Sequence, residues 1–249
     1  MIANRRIVVS GQCVKQTEGG GNALKLAMDS LFEKAERHID DGANILVLTD
    51  RSMDKDRCPI PALLAVSGLH HHLINKGLRN ECGLIIETGE AREVMRFSLL
   101  IAFGISAICP YVAFSTMREL AEQRLLGDDK TPEDAMDSYI SAIKKGLLKT
   151  FSRMGISTIR SFFGSQIFEA IGIEKSVIDQ YFCNTASRVG GISLEEIAQE
   201  VYMRHRKAYP HSGKPDDLLD IGGRFSVKYG GEKHLWIPET IYKLQLVLE

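Results

Sequence analysis

Three short apolar runs alternate with amphipathic stretches in the first half of this chain, and this alternation constrains its fold more than any other feature. The runs are residues 45–48, 83–86 and 107–112. Runs that are apolar on both faces are typical of strands in parallel sheets, although Pro110 weakens the third run or confines it to a strand end. Stretches with helical spacing precede and separate the runs: residues 22–39, 59–77 and 90–103. The pattern predicts an α/β fold of parallel βαβ units, similar to part of a TIM barrel.

The second half of the chain has a more helical pattern. Ser193 and Glu196 form a capping box that opens one of its helices. The sequence predicts helices over residues 115–126, 131–151, 165–171, 174–182 and 193–209, a strand over 157–162, and a loop-rich stretch over 210–234 with a hairpin at 224–229. The fold class is therefore α/β followed by a more helical C-terminal part.

Three parts of the chain differ in composition. Three consecutive glycines at 19–21 resist regular structure and predict a flexible N-terminal segment over residues 1–21. Residues 22–130 carry the βα alternation and form a central α/β domain, and residues 131–249 form a helical and loop-rich part. The boundary between the last two lies at 127–131.

Composition and charge exclude several classes of protein. The 249 residues include 31 Lys and Arg and 32 Asp and Glu, so no basic field exists to recruit nucleic acid or an anionic membrane. The longest apolar helical stretch is too short to span a bilayer. Five widely spaced cysteines give neither a metal-type spacing nor a disulfide framework. These features predict a cytoplasmic protein with reduced thiols and no metal site.

Polar side chains follow the predicted strands at the positions where parallel α/β proteins bind ligands. Asp50 and Arg51 follow the first strand, and Glu87 and Glu90 follow the second. A ligand-binding face and a set of salt-bridged loops both explain these residues. Three consecutive histidines at 70–72 cannot converge on one metal ion from a helix, so packing is the favoured interpretation.

No catalytic constellation emerges from the residues alone. Ser157 and the other candidate serines lack a nucleophile-elbow pattern, and no Ser/His/Asp set can be placed in space from the sequence. Gly190 and Gly191 precede a helix and could offer backbone N–H groups to an anion, although a helix start without a ligand is commoner.

Longer sequence motifs identify a protein family more specifically than these single residues do. They run in order through the chain: LTDR at 48–51, PIPALLAV at 59–66, HHHLI at 70–74, GLIIETGE at 83–90, AICPY at 107–111, KGLLK at 145–149, MGIST at 154–158, QIFEA at 166–170, SRVGG at 187–191, HLW at 234–236 and PETI at 238–241. Together they resemble the large (alpha) subunit of glutamate synthases over residues 22–245, which is nearly the whole chain. The resembled region is the central domain, with residues 131–249 as the lead-in to the FMN-binding domain.

The resemblance implies an enzyme that forms two glutamates from glutamine, 2-oxoglutarate and two electrons. In the family, a glutaminase domain with an N-terminal cysteine releases ammonia, which passes through a tunnel to an FMN barrel. Electrons reach FMN through a [3Fe-4S] cluster from ferredoxin or from an NAD(P)H-oxidising subunit. The chain starts with Met1 and Ile2 and lacks clustered cysteines, so we expect it to bind no cofactor alone. FMN and the cluster are expected in the complete enzyme.

The leading hypothesis is a partial or split glutamate synthase subunit. It would scaffold the ammonia tunnel and brace the flavin barrel, and its partners would be the glutaminase domain, the barrel and the electron donor. The residues expected to line a tunnel or an interdomain surface are Asp50, Arg51, Glu87, Glu90, Ser157, Gln166 and Arg188. One alternative is a standalone binding or regulatory module that keeps the central fold. Another is a small flavoprotein in which residues 154–157 close a phosphate site.

Overall fold

The computed structural model describes residues 7–11, 13–15, 20–210, 221–223 and 226–248. The chain divides into two compact units, Met1–His205 and Arg206–Glu249. The described elements of the first unit are β1 (Ile7–Gly11), β2 (Cys13–Lys15), α1 (Gly20–Asp40), β3 (Ile45–Thr49), β4 (Arg57–Pro59), α2 (Ala62–Asn75), β5 (Gly83–Glu87), α3 (Val94–Ala102), β6 (Ala107–Cys109), α4 (Tyr111–Glu122), α5 (Pro132–Arg153), α6 (Ile159–Phe162), β7 (Glu169–Ile173), α7 (Lys175–Tyr181), β8 (Ala186–Ile192) and most of α8 (Leu194–Ala208). The second unit contains α9 (Pro238–Leu248).

A four-stranded parallel sheet organises the first unit. Its order is β1-β3-β5-β6, so the strands lie side by side in chain order. Strand β2 pairs with β4 in a small antiparallel ribbon beside this sheet, and β7 pairs with β8 in a separate parallel ribbon. Sequential parallel strands joined by helices are the arrangement found in part of a TIM barrel. The predicted fold class is therefore confirmed.

The core lies against one face of the four-stranded sheet. Leu46, Leu48 and Ile86 are at most 2% exposed, whereas Val47 and Ile85, which alternate with them, are only half-buried. Successive side chains of a strand point to opposite faces, so this alternation marks one face as the core face. Helices α1, α2 and α3 supply the opposing layer, and neighbouring helices in this series pack on each other. Both faces of these strands are apolar, as the sequence indicates. Within the first unit, the face that carries Leu46, Leu48 and Ile86 is more deeply buried than the opposite face.

Three local predictions differ from the structure. The N-terminal segment expected to be flexible contains β1 and β2, because β1 pairs with the buried β3 along its whole length. Residues 157–162, predicted as a strand, instead contain helix α6, which Thr158 caps by accepting a hydrogen bond from the backbone N–H of Ser161. Residues 165–171, predicted as a helix, lead into β7. A left-handed backbone at Gly164 and Gln166 interrupts any helix there.

The boundary predicted at residue 130 does not coincide with the division between the compact units. Helix α5 lies beyond that boundary and packs against α3 and α4 of the sheet layer. The division into residues 1–21, 22–130 and 131–249 stays a prediction about domain organisation. The hairpin predicted at 224–229 includes residues that lie outside the described part of the chain.

The second unit exposes apolar side chains. Trp236 is 65% exposed, and Ile241, Tyr242 and Leu244 of α9 are also exposed. An ion pair between Glu239 and Lys243, at 2.8 Å, links successive turns of the helix. Among the described residues of both units, no helix has the length and apolarity needed to cross a membrane.

Candidate functional site

The carboxyl ends of β3, β5 and β6 bring one group of polar side chains together. We call it the strand-end cluster, and its members are Thr49, Asp50, Arg51, Glu87, Thr88 and Tyr111. These residues meet because parallel strands present the same end at one edge of the sheet. A backbone hydrogen bond of 3.3 Å from the N–H of Asp50 to the carbonyl of Glu87 continues the β3–β5 pairing into the loops.

Asp50 is the buried anchor of the cluster. It is only 5% exposed, and its Oδ2 accepts hydrogen bonds from Thr88 Oγ1 at 2.7 Å and from the N–H of Gly89 at 3.0 Å. The Tyr111 hydroxyl also hydrogen-bonds to this carboxylate. Burial, together with that hydrogen bond, raises the pKa of Tyr111 well above its ordinary value, so the phenol stays protonated. One carboxylate thereby ties the loops after β3, β5 and β6 together.

Arg51 and Glu87 form the exposed layer of the cluster. Arg51 Nε donates to Glu87 Oε1 at 2.6 Å, and Thr49 Oγ1 donates to Glu87 Oε2 at 2.8 Å. Burial raises the pKa of Glu87, but the hydrogen bonds from Arg51 and Thr49 outweigh it and the net pKa is lowered. The Arg51 guanidinium lies 4.1 Å from the centre of the Tyr111 ring, which is a cation–π contact. Half of the Arg51 side chain remains open to solvent.

Glu90 lies three residues after Glu87 and is partly buried. Its Oε2 accepts a hydrogen bond of 3.3 Å from the backbone N–H of Ala62, the first residue of α2. Burial raises the pKa of Glu90, while that N–H and the charges of Arg204 and Arg96 act in the opposite direction. A carboxylate at this position complements the positive end of the α2 dipole. Glu90 therefore anchors the start of a helix rather than facing solvent.

The structure brings some of the predicted site residues together and separates the others. Asp50, Arg51 and Glu87 belong to one network, and the Asp50 charge acts on nearby Glu90. The other three lie on different elements. Ser157 is exposed between α5 and α6, Gln166 precedes β7 in a left-handed conformation, and the Arg188 side chain on β8 lies 3.6 Å from Glu169 of β7. Their role at a tunnel or an interdomain surface stays a prediction.

The three consecutive histidines diverge. His70 Nδ1 accepts a hydrogen bond of 2.9 Å from Arg79 Nε, and burial lowers the pKa of His70 to about 4, so the ring is neutral at pH 7. His71 contacts His70 edge-on. His72 stacks on Phe32 and its Nε2 donates to Glu36. Packing and ion pairing therefore account for these side chains.

The described cysteines are spread over the first unit. Cys58, Cys82, Cys109 and Cys183 lie on or beside four different elements. Across residues 20–210 and the shorter described stretches, no three His, Cys, Asp or Glu side chains are grouped so that they could hold a metal ion. The side chains described here offer no cysteine cluster of the kind that ligates iron–sulfur centres.

Sequence reasoning missed two contacts. Tyr111 joins the cluster although the sequence placed it in a strand, because the chain turns into α4 directly after Pro110. Gly20 and Gly21 begin α1 rather than forming a linker, and the N–H of Gly21 donates to the Glu195 carboxylate of α8 at 2.5 Å. The sequence contains part of the information, because the capping box of Ser193 and Glu196 predicts the start of α8, where Glu195 lies. The structure confirms this capping box.

The strand-end cluster can position loops but shows no arrangement for bond-breaking chemistry. Its guanidinium pairs with the Glu87 carboxylate, Thr49 donates to Glu87, and Thr88 donates to Asp50. What remains available to another molecule is the exposed half of Arg51, held in place by Glu87 and Tyr111. The geometry fits a rigid edge that supports an adjoining structure.

Comparison with known proteins defines the family. Residues 4–174 match the family model described as the glutamate synthase central domain. The NADPH-dependent glutamate synthase large chain of Bacillus subtilis is 46% identical over 226 residues, which are 89% of this chain and 14% of that relative. The NADH-dependent glutamate synthase of Saccharomyces cerevisiae is 38% identical over 226 residues, covering 88% of this chain and 10% of the relative.

A third relative is named for a different electron donor, ferredoxin. The ferredoxin-dependent glutamate synthase of Pyropia yezoensis is 40% identical over 236 residues, covering 90% of this chain and 15% of the relative. The chain therefore belongs to the glutamate synthase family and corresponds to its central region. It spans 10–15% of the length of these curated relatives.

Proposed function

We propose that this chain acts as the central scaffold of a glutamate synthase and is not catalytic alone. The observation that carries the proposal is that 88–90% of the chain matches only 10–15% of relatives named as glutamate synthases or as a glutamate synthase large chain. The strand-end cluster supports it, because hydrogen bonds among Asp50, Thr88, Arg51 and Glu87 position loops. The complete reaction converts glutamine, 2-oxoglutarate and two electrons into two glutamates.

The partners follow from this proposal. The glutaminase domain and the FMN barrel with its [3Fe-4S] cluster would belong to other regions or subunits, and ferredoxin or an NAD(P)H-oxidising subunit would supply electrons. The strand-end cluster, with Asp50, Arg51 and Glu87, would face the ammonia tunnel or an adjoining domain. Cytoplasmic location remains the expectation from the sequence.

A native pull-down tests the proposal. The tagged chain would be recovered from its own cells, and the eluate would be assayed for flavin absorbance and for glutamine-dependent glutamate formation. We expect a partner bearing the barrel, a yellow-brown eluate and activity. The isolated chain should be colourless and inactive.

Two results would contradict the scaffold role. Glutamate formation by the purified chain alone would show that it is catalytic. Recovery of the chain alone and colourless from its own cells would favour a standalone module that keeps the central fold.

A further inference from the structure

A cleft opens beside β6, and none of the six residues of the strand-end cluster lines it. We call it the β6 cleft, and its volume is about 290 Å³. It is lined by Phe97, Ile101, Ser106, Ala107, Ile108, Pro110, Phe114, Tyr139, Ile140, Ile143, Lys144, Leu147 and Ile159. Most of these side chains are apolar, and they come from α3, β6, α4, α5 and the start of α6. All of them belong to the first compact unit.

The walls of the cleft are fixed by contacts of their own. Phe97 and Ile143 are at most 9% exposed, so they are part of the core rather than mobile surface groups. The Tyr139 hydroxyl donates to the carbonyl of Arg92 at 3.0 Å, and the Tyr139 ring meets Phe114 edge-on at 6.2 Å. A wall held in this way keeps its shape without an occupant, which lowers the entropy cost of binding.

The cleft runs along the free edge of a strand. Strand β6 is the last strand of the four-stranded sheet, and β5 is its strand partner among the described residues. The N–H of Ser106 donates to the carbonyl of Leu84 at 2.8 Å, toward β5. The N–H of Thr88 donates to the carbonyl of Cys109 at 3.0 Å, so the backbone groups of Cys109 also point toward β5. Backbone groups of successive strand residues point to opposite sides, so those of Ile108, which lines the cleft, point away from β5. An edge of this kind is a template for one more strand.

One positive charge marks the rim. Lys144 of α5 is exposed and lines the cleft, and within the described part of the chain it forms no ion pair. Leu148, one turn further along α5, is also exposed but does not line the cleft. Judged from the described residues, the cleft therefore combines an apolar trough, a strand edge with no second neighbour and one cation. That combination matches an extended peptide with apolar side chains and a nearby carboxylate.

We propose that the β6 cleft receives an extended apolar segment of the glutamate synthase polypeptide from outside these 249 residues, which adds a strand beside β6 and places a carboxylate near Lys144. This inference rests on the proposed function. The choice of occupant follows from length, because the matched region is only 14% of the Bacillus subtilis relative, so most of the polypeptide is available to cover this surface. Strand addition would also extend the parallel sheet beyond β6.

Site-specific crosslinking identifies the occupant. The photoreactive residue p-benzoylphenylalanine would be introduced at Ile140, inside the cleft, and separately at Leu148 as the matched control on the same helix. The tagged full chain would be irradiated in its own cells, and the crosslinked peptides would be identified by mass spectrometry. We expect crosslinks from position 140 to one defined segment of glutamate synthase sequence, at least fivefold more abundant than from position 148.

A pair of charge substitutions tests the energetic role of the cleft. Ile159→Lys places a charge in the cleft lining, and Leu148→Lys places one on an exposed site outside the cleft. Both residues are at least half exposed, so both variants should fold, which circular dichroism verifies. We expect Ile159→Lys to reduce recovery of the other glutamate synthase regions at least fivefold, and Leu148→Lys to leave it unchanged.

The outcomes separate this inference from the proposed function. If the other enzyme regions are recovered but position 140 gives no crosslink, or crosslinks a second copy of the chain or only a small molecule, the cleft inference is wrong and the scaffold role stands. If position 140 crosslinks an unrelated protein and no glutamate synthase region is recovered, both are wrong. Equal effects of the two lysine substitutions would also overturn the cleft inference.

Discussion

Single side chains hold the strand-end cluster together, and Asp50 carries the largest share of its contacts. Its carboxylate is buried and accepts hydrogen bonds from Thr88 and from the backbone of Gly89. Hydrogen bonds to a buried charge are stronger than neutral ones, and the loss of one partner leaves the others unsatisfied. Adjacent loops should therefore respond strongly to changes at this residue.

Asp50→Asn tests that expectation. Thr88 and Gly89 both donate to Oδ2, so the amide oxygen can serve both only if the NH2 group occupies the buried Oδ1 position, and the charge that strengthens both hydrogen bonds is lost. We expect a loss of about 1–3 kcal/mol in the free energy of unfolding, measured by urea denaturation. The control is Asp56→Asn in the same loop region, where the side chain is exposed and little change is expected. Equal losses in both variants would contradict the role of Asp50.

Glu36 provides a pH-dependent contact at the residue scale. A hydrogen bond from His72 lowers the pKa of Glu36 below its ordinary value of 4.5, with Lys76 acting in the same direction. Since the folded-state pKa is depressed, the contribution to stability is fully present above the unfolded-state pKa and is lost as pH falls through the folded-state pKa. The affected window lies below about pH 4.5.

Glu36→Gln should therefore flatten the fall in stability at acid pH. Urea midpoints measured from pH 3 to pH 7 would show a smaller decline for this variant than for the unsubstituted protein. Glu33→Gln, an exposed position on the same helix, should keep the original slope. An unchanged slope for Glu36→Gln would show that the pair with His72 contributes nothing to acid unfolding.

At the scale of elements, the first turn of α1 is hydrogen-bonded by a side chain that lies far away in the sequence. The N–H of Gly21 donates to the Glu195 carboxylate, which places a negative charge at the positive end of a 21-residue helix. The three glycines at 19–21 indicate a linker when the sequence is considered alone. The structure shows that at Gly21 the absence of a side chain allows α8 to approach closely.

Gly21→Ala should destabilise the protein, although Ala normally favours helices over Gly. A Cβ at this position would lie 2.9 Å from the Glu195 backbone nitrogen and 3.0 Å from its Cα, so the backbone of α8 would have to move. We expect a loss of about 1–3 kcal/mol, measured by urea denaturation. Gly190→Ala is the control, because nothing lies within 4 Å of its added Cβ. A stabilised Gly21→Ala variant would contradict the close approach.

Sequence periodicity predicted the elements that obey local rules. Helix α5 begins at the proline that follows Thr131, and its capping box with Asp134 satisfies the first turn. Strands β3 and β5 were found because their apolar runs are short and continuous. Strand β7 was missed because residues 165–171 contain no strand alternation, and pairing with β8 determines their conformation.

At the scale of the whole molecule, the core of the first unit is self-contained. Its main cluster of buried and packed apolar residues, among those the structure describes, runs from Leu24 to Ala198, and all of these residues lie in the first unit. We therefore expect a chain ending after Ala208, which retains all of α8, to fold by itself. Its thermal midpoint should fall by less than about 4 °C, equivalent to about 1 kcal/mol. Loss of cooperative unfolding in this truncated chain would show that the first unit depends on the second.

The sequence by itself determined the class of fold, the positions of most helices and strands, and the resemblance to glutamate synthases. These conclusions depend on the spacing of apolar residues, on helix caps and on short sequence motifs, all of which can be identified from neighbouring residues in the chain. Only the tertiary structure shows that Asp50 hydrogen-bonds to Thr88 and Tyr111 and that Glu195 of α8 accepts a hydrogen bond from the first turn of α1. It also shows that an apolar cleft lies beside β6. The hydrogen bonds of Asp50 with Thr88 and of Gly21 with Glu195 join residues 38 and 174 positions apart. Burial and hydrogen-bond satisfaction select such contacts only once the sheet has assembled.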